Sequence, residues 1–195
     1  MQEELFAFID QYMPLTAEER HALVQLDIFH SFPKGTVLVR AGERSQRSYF
    51  VLKGCLRSYR VVDGEERTVE LCTENEGLTP PWAADKATDE LYVMCLEDVI
   101  LVVANEGMEQ EMFERFPRFQ TLCRIVSEKQ LVENKQAFAD FKDRTPEERY
   151  VHLQENRPDL IQRVPQQHLA SYLGITPESL SRIRKRIARP ANGVS

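Results

Sequence analysis

The middle of the chain consists of short runs rich in β-branched and aromatic residues and separated by glycines. The runs "GTVLVRAGE", "SYFVLKGCLRSYRVVDGEERTVELC" and "ELYVMCLEDVILVVA" lie within residues 32–104. Asp63-Gly64, between two of them, is typical of a tight hairpin because both residues tolerate positive φ. Closely spaced strands without intervening helices predict an antiparallel β-roll of the jelly-roll type. Helical patterns flank this segment on both sides, so the predicted fold class is α+β.

Helix signals bracket the β segment. Thr16 and Glu19 form a capping box before an N-terminal helix, and Thr145 opens a similar box in "DRTPEERYVHLQ". "MEQEMFERF" predicts a short helix that ends near Pro117, and residues 119–142 predict a long helix without glycine or proline. Three regions are therefore expected: a β-roll with N-terminal helices at 1–116, a connecting helix at 117–143 and a helical C-terminal region at 144–195.

The long helix has an apolar stripe along one side. Such a stripe, on a helix that leaves a β domain, is most simply buried against the same helix of a second copy. Packing on its own domain is the alternative that the pattern leaves open. The sequence therefore predicts a homodimer with contacts through Leu122, Ile125, Val126 and Val132.

The strongest local pattern is "QQHLASYLGITPESLSRIRKRI", residues 166–187. Gly174 stands where the backbone must leave one helix in a left-handed conformation, and Thr176-Pro177 is typical of the start of a second helix. Apolar residues fall on one face of each segment, with Leu180, Ile183 and Ile187 in the second. This spacing predicts a helix-turn-helix unit, in which the second helix enters the major groove of DNA.

Charge separates the C-terminal region from the rest of an acidic chain. Residues 163–195 contain six Lys/Arg residues and one acid, whereas residues 1–162 contain 19 basic and 30 acidic residues. This asymmetry indicates an end that binds a polyanion, although charge alone also fits a solvated basic tail. Arginine can bond guanine, glutamate can accept a bond from cytosine, and serine or lysine can reach phosphates. The predicted DNA contacts are Gln166, Gln167, Thr176, Glu178, Ser179, Ser181, Arg182, Lys185 and Arg186.

Together these features resemble the Crp/Fnr family, the cyclic-AMP receptor protein and FNR regulators of bacterial transcription. "FPKGTVLVRAGE" is similar to the opening of that family's cyclic-nucleotide-binding-like roll, and residues 148–187 resemble the C-terminal domain of its Bacteroidetes-type members. The family's recognition helix commonly carries R-E-x-x-x-R. Here Glu178 and Arg182 match, and Pro177 replaces the first arginine. The resemblance implies a cytoplasmic homodimer that binds double-stranded DNA at a palindromic operator. The operator sequence is expected to differ from that of the cyclic-AMP receptor protein, and RNA polymerase is a candidate partner.

The arginine expected to pair with a cyclic phosphate is missing from the corresponding stretch of the sequence. The family's cassette places an arginine against the cyclic phosphate, but residues 68–114 contain twelve acids, no arginine and one lysine. A buried phosphate without a cation is costly, so cyclic AMP is not expected to bind in the usual way. No cofactor is predicted, and the effector is unknown. Candidate pocket residues are Arg57, Thr79 and Trp82, although a lone tryptophan also fits a core position.

Family members often flank the two helices with β-strands that touch the DNA backbone. Only eight residues follow Ile187, and "IQRVPQQ" leaves little room for a strand hairpin before the motif. A reduced wing with fewer phosphate contacts is therefore expected.

Two other classes of function can be compared with the sequence. An enzyme, such as a cupin-like metal enzyme, needs clustered histidines, and none of the four histidines lies within residues 32–104. The four cysteines are far apart, so they do not predict a metal site. The sequence also lacks H-E-x-x-H, G-x-S-x-G and glycine-rich phosphate motifs, so no enzyme is predicted. A ligand- or partner-binding protein whose helix-turn-helix has lost its DNA affinity remains the alternative. The acidic N-terminus and the lack of an apolar run of about 18 residues predict a cytoplasmic protein without a membrane partner.

Overall fold

A computed structural model describes residues 1–43, 45–79 and 91–188. Within these ranges the chain forms eight strands and eight helices, which confirms the predicted α+β class. The strands are β1 (Phe29–Phe32), β2 (Val37–Val39), β3 (Arg47–Lys53), β4 (Leu56–Val62), β5 (Glu65–Cys72), β6 (Gly77–Leu78), β7 (Leu91–Cys95) and β8 (Val99–Asn105). The helices are α1 (Gln2–Asp10), α2 (Ala17–Gln25), α3 (Glu106–Arg115), α4 (Arg118–Asp143), α5 (Pro146–Asn156), α6 (Pro158–Arg163), α7 (Gln166–Tyr172) and α8 (Pro177–Ile187).

The strands form two four-stranded antiparallel sheets. Sheet A has the order β1-β8-β3-β6, and sheet B has the order β2-β7-β4-β5. The hairpin between β4 and β5 turns at Asp63 and Gly64, whose φ values of 55° and 80° confirm the predicted primed turn. Among the described strands, β5 pairs only with β4, so it forms one edge of sheet B there.

The inner faces of the two sheets pack against each other and fill the β-roll with apolar side chains. Val51, Leu56 and Leu101 are fully buried there. Ser58 is also almost fully buried. Alternate residues of the strands point to the outer faces, because side chains alternate along a strand. Each outer face is covered by a different set of helices.

Helices α1 to α4 cover the outer face of sheet A through apolar contacts. Phe8 of α1 packs on Phe50 of β3 with ring centroids 4.7 Å apart, and Phe119 and Leu122 of α4 join the same cluster. The capping box at Thr16 and Glu19 is confirmed, with Thr16 N–H donating to Glu19 over 2.8 Å. Helix α2 thus begins at a local signal, and apolar burial fixes the helices against sheet A.

Helices α5 to α8 cover the outer face of sheet B. Leu71 and Cys55, on that side of the sheet, share a buried cluster with Leu160, Leu169 and other apolar residues of these helices. The box at Thr145 and Glu148 is confirmed, and the long helix predicted at 119–142 is observed as Arg118–Asp143. The C-terminal region therefore packs directly on the roll. None of the helices in the described ranges combines the length and apolar character that a bilayer crossing requires.

Candidate nucleic-acid interface

The helix-turn-helix unit is formed by α7 and α8. Gly174 adopts φ +72°, as its position in the corner predicts, and a Cβ there would lie 3.3 Å from the Phe141 ring. Thr176 caps α8, since its Oγ1 accepts a hydrogen bond from Ser179 N–H over 3.2 Å. Ala170 and Leu180 are fully buried where the two helices cross. Both helices thus have a fixed orientation.

One residue of the predicted apolar stripe departs from the expectation. Leu180 and Ile183 are buried, but 36% of Ile187 is exposed at the end of α8. The prediction that all three form a buried stripe was wrong at this last position, because the stripe ends where α8 runs past the helices that cover it.

The predicted DNA-contact residues all reach the surface. Gln166, Gln167, Thr176, Glu178, Arg182, Lys185 and Arg186 are exposed, and Ser179 and Ser181 are partly exposed. The Arg182 guanidinium donates to Ser179 Oγ over 3.1 Å, which holds it along the outer side of α8. The pKa of Glu178 is lowered, first by its own backbone N–H and then by the Thr176 hydroxyl. Glu178 therefore stays ionised in the first turn, where a negative charge also stabilises the helix.

Arg186 has a partner within the chain. Its Nε donates to Glu147 Oε1 over 3.0 Å, and its Nη2 contacts the other carboxylate oxygen. Both side chains are well exposed, so the pair contributes little to stability. It does link the end of α8 to the start of α5.

Hydrogen bonds attach α7 to the edge of sheet B. The Ser171 hydroxyl accepts from Thr68 N–H over 2.8 Å and donates to the carbonyl of Glu66 over 3.1 Å. Thr68 Oγ1 also donates to the carbonyl of His168 over 3.2 Å. One serine thus satisfies two polar backbone groups of an edge strand, which would otherwise need water or another chain.

Two arginines reinforce this attachment. Arg163 Nη1 donates to Glu74 over 2.8 Å, and Arg163 Nε donates to Glu97 over 2.9 Å. Arg157 donates to Glu76 over 3.0 Å and to Thr73 Oγ1 over 2.8 Å. Burial alone would raise the pKa of Glu74, but the hydrogen bonds from Arg163 and from Gly54 N–H lower it to about 2.

A cleft of about 940 Å³ lies between the β4–β5 hairpin and the helix-turn-helix unit; we call it the hinge cleft. Glu65 and Glu66 line its sheet side. Gln167, Thr176 and Glu178, all predicted DNA contacts, line its helical side. Arg57 and Arg67 line the same side and contact Glu66 and Glu65, so the β4–β5 hairpin places two ion pairs opposite these three residues.

The predicted dimer residues divide into two pairs. Ile125 and Val132 are 39% and 66% exposed, as are neighbouring apolar residues of α4. Leu122 is only 7% exposed and packs among α1, α2 and sheet A of its own chain, and Val126 is partly buried in the same cluster. Assigning Leu122 to a dimer surface was therefore wrong, because the first turns of α4 help to cover sheet A.

Two of the three predicted pocket residues, Arg57 and Thr79, are not brought together. Arg57 is fully buried on the outer side of sheet B, where Glu66 Oε2 lies 2.5 Å from its Nη1 and the ring of Tyr59 lies 4.3 Å from its Cζ. Thr79 is exposed on the other side of the roll, and Trp82 lies outside the described residues. A single pocket formed by Arg57 and Thr79 was therefore a wrong expectation, because Arg57 points away from the interior of the roll.

Sequence reasoning missed Arg157, Arg163 and Ser171. Each contacts a residue more than 80 positions away, so no local pattern could have shown its role.

No group of three or more His, Cys, Asp or Glu residues within the described ranges is arranged to hold a metal ion. In residues 144–188 the structure contains helices and turns but no strand, in line with the expected lack of a strand hairpin before the motif.

The chain is similar to known proteins in one domain and in its fold. The family model "Cyclic nucleotide-binding domain" matches residues 29–116. The structure of the c-di-GMP responsive global regulator CLP of Xanthomonas campestris is 17% identical, with a TM-score of 0.67, covering 88% of this chain and 91% of that one. FixK2 of Bradyrhizobium japonicum is 14% identical, with a TM-score of 0.63 and coverages of 85% and 88%.

A third structure, the catabolite activator protein of Thermus thermophilus, is 21% identical, with a TM-score of 0.51, covering 91% of this chain and 85% of that one. No curated protein matches the chain. Residues 29–116 therefore match the model of a cyclic nucleotide-binding domain, and the chain shares the fold of the CLP, FixK2 and catabolite activator protein structures.

Proposed function

We propose that this protein is a sequence-specific DNA-binding regulator of transcription that acts as a homodimer. The observation that carries the proposal is the outer side of α8. There Arg182, Lys185 and Glu178 are exposed on a helix whose other side is buried and whose start is capped. A capped helix with a fixed cationic side can reach base edges and phosphates in the major groove.

The second half of α4 supports the homodimer. Val132 and Phe138 are each 66% exposed, and Leu131 is 53% exposed. Pairing of two such helices would bury them and relate the two recognition helices by a two-fold axis. The two recognition helices would then meet two half-sites about 34–36 Å apart. Because the half-sites are related by the same two-fold axis, the operator is expected to be palindromic. RNA polymerase stays a candidate partner of the bound dimer.

Arg182 tests base recognition. After selection of bound duplexes from a random library, Arg182→Ala should weaken binding to the selected duplex by about 1–3 kcal/mol. It should weaken binding to unrelated duplexes much less, because a base contact carries the sequence information. Fluorescence anisotropy measures both affinities. Arg115→Ala is the matched control, since Arg115 is an exposed arginine on α3, away from the helix-turn-helix unit. Equal isotherms for Arg182→Ala and the unmodified chain would contradict its role in recognition.

The sensor domain is proposed not to bind cyclic AMP in the usual way. Apolar side chains fill the roll, and Arg57 is paired with Glu66 on the outer side of sheet B. A cyclic phosphate inside the roll would need a cation that the described residues of the interior do not supply. Calorimetric titration with cyclic AMP should therefore give no saturable heat, and micromolar binding would contradict this part of the proposal.

One observation favours a second candidate, a ligand- or partner-binding protein without a DNA function. The helix-turn-helix unit is attached to sheet B, and Glu65 and Glu66 face its DNA-contact residues across the hinge cleft. If the unit never leaves this position, the β4–β5 hairpin lies opposite Gln167, Thr176 and Glu178 and obstructs a duplex there. Binding to random duplex DNA separates the candidates, because only a DNA-binding protein shows affinity that falls steeply with salt.

A further inference from the structure

A second cavity lies between the helices α1 to α4 and the outer face of sheet A; we call it the cap cleft. It has a volume of about 410 Å³, in the range of small-molecule sites. Its floor is formed by Phe50, Val102 and Ala104, and Phe8 and Met112 belong to its walls. It is separate from the interior of the roll, which apolar side chains of both sheets fill.

The lining of the cap cleft is mostly apolar, and its polar side chains include Ser48, Thr79, Glu109, Cys123, Ser127 and Gln130. The Ser48 hydroxyl donates to Glu109 Oε1 over 2.8 Å, and Cys123 also lines the cleft. Desolvation, and then the charge of Glu109, raise the pKa of Cys123 to about 11, although part of its side chain is exposed. The thiol is therefore neutral at pH 7. No ion pair within the described residues involves Glu109, so the polar end of the cleft carries an unneutralised negative charge.

We propose that the cap cleft binds a small apolar amine, with the apolar body against Phe50 and Val102 and the ammonium group at Glu109. An open apolar space of this size leaves its lining without partner atoms on one side, and a hydrocarbon body would supply them. The carboxylate of Glu109 attracts a donor head that carries positive charge and repels a fatty-acid carboxylate. The methionines of the wall, Met108 and Met112, adapt readily to ligands of different shape.

The position of the cap cleft gives the ligand a route to the rest of the molecule. Leu122 and Val126 of α4 line it, and the same helix continues to the exposed stripe around Val132. An amine in the cleft would contact the first half of α4 and thus act as an effector of the regulator. This effector role rests on the proposed function, whereas binding itself does not, so binding is measured without DNA.

The test compares three ligands of equal chain length, n-octylamine, n-octanol and octanoate, titrated calorimetrically into the full chain. Saturable binding is expected in the order amine, alcohol, carboxylate. Glu109→Gln should lower the affinity for octylamine by about tenfold or more, since a hydrogen bond to a charged group is lost, and should leave octanol within about twofold. Glu111→Gln is the matched control, because Glu111 is an exposed acid of the same helix that does not line the cleft.

A filling variant checks the place of binding. Ala104→Phe adds a ring to the floor of the cleft and should abolish binding of octylamine and octanol. Circular dichroism shows whether Ala104→Phe is folded. If this variant is unfolded, Glu109→Gln tests the proposal by itself. The proposal is overturned if no ligand binds saturably, if octanoate binds as well as octylamine, or if Glu109→Gln and Glu111→Gln bind octylamine equally. Neither a failure nor a success in DNA binding alters these results.

Discussion

The outer faces of the two sheets are covered in different ways. Sheet A is covered by α1 to α4 through apolar side chains such as Phe8 and Phe119. Sheet B is covered by α5 to α8 through an apolar cluster together with Arg157, Arg163 and Ser171. When two surfaces separate, the stabilisation from apolar burial is lost entirely, because water does not replace it. The free energy of ion pairs and hydrogen bonds is partly recovered, because the separated groups bind water instead.

This difference indicates which cover can move. The carboxylates of Glu74 and Glu97 are 37% and 35% exposed, so water already reaches the ion pairs on sheet B. Separation of α5 to α8 from sheet B would also open the hinge cleft, whose helical side carries predicted DNA contacts. We therefore expect the cover of sheet A to unfold with the roll and the cover of sheet B to detach more easily.

The largest effect is expected from Leu122→Ala, on the side of sheet A. Leu122 is 7% exposed, and removal of a buried leucine costs about 2–5 kcal/mol of unfolding free energy. Val132→Ala, on the exposed part of the same helix, should change the stability of the folded unit by no more than about 0.5 kcal/mol. Urea unfolding at low protein concentration measures both. Similar losses in the two variants would contradict the different environments of Leu122 and Val132 on this helix.

A smaller effect is expected from Arg163→Gln, on the side of sheet B. The change leaves Glu74 and Glu97 without their partner and should cost about 1–2 kcal/mol, because their partial exposure limits the loss. In the Arg163→Gln variant, hydrogen exchange should become faster in α5 to α8 than in the unmodified chain, and should change less in α1 to α4. Arg124→Gln, which breaks an exposed pair with Glu128, serves as the control and should leave both regions unchanged. Uniform destabilisation of both covers would contradict the proposed difference between them.

The smallest effect is a pH dependence confined to the cover of sheet B. The pKa of Glu74 is lowered to about 2 from an ordinary value of 4.5, so its contribution to stability is complete above about pH 4.5. That contribution is lost as the pH falls from 4.5 towards 2. The stability difference between the unmodified chain and Glu74→Gln should therefore shrink over this interval. A difference that stays constant from pH 6 to pH 3 would show that the ion pair does not stabilise the attachment.

Features defined by neighbouring residues were predictable from the sequence. The caps at Thr16, Thr145 and Thr176 were predicted correctly, because each depends on residues within one helical turn. The same is true of the positive φ at Gly64 and Gly174. Most of the fold and the surface side of α8 follow from such local signals.

Features defined by distant contacts were not predictable. The apolar pattern of α4 gives no sign that Leu122 faces sheet A while Val132 faces solvent, since both lie on one apolar stripe. The direction of Arg57 depends on which side of sheet B the C-terminal helices cover. Attachment through Arg163 and the polar end of the cap cleft at Glu109 likewise join segments that are far apart in the chain.

The central claim is that the helix-turn-helix unit binds DNA, and the salt dependence of binding to a random-sequence duplex tests it most directly. Each phosphate contact by lysine or arginine releases counterions, so log K should fall linearly with log salt concentration. We predict a clearly negative slope that becomes shallower in a variant with both Arg182→Ala and Lys185→Ala. A slope near zero, or no binding at low salt, would contradict the account.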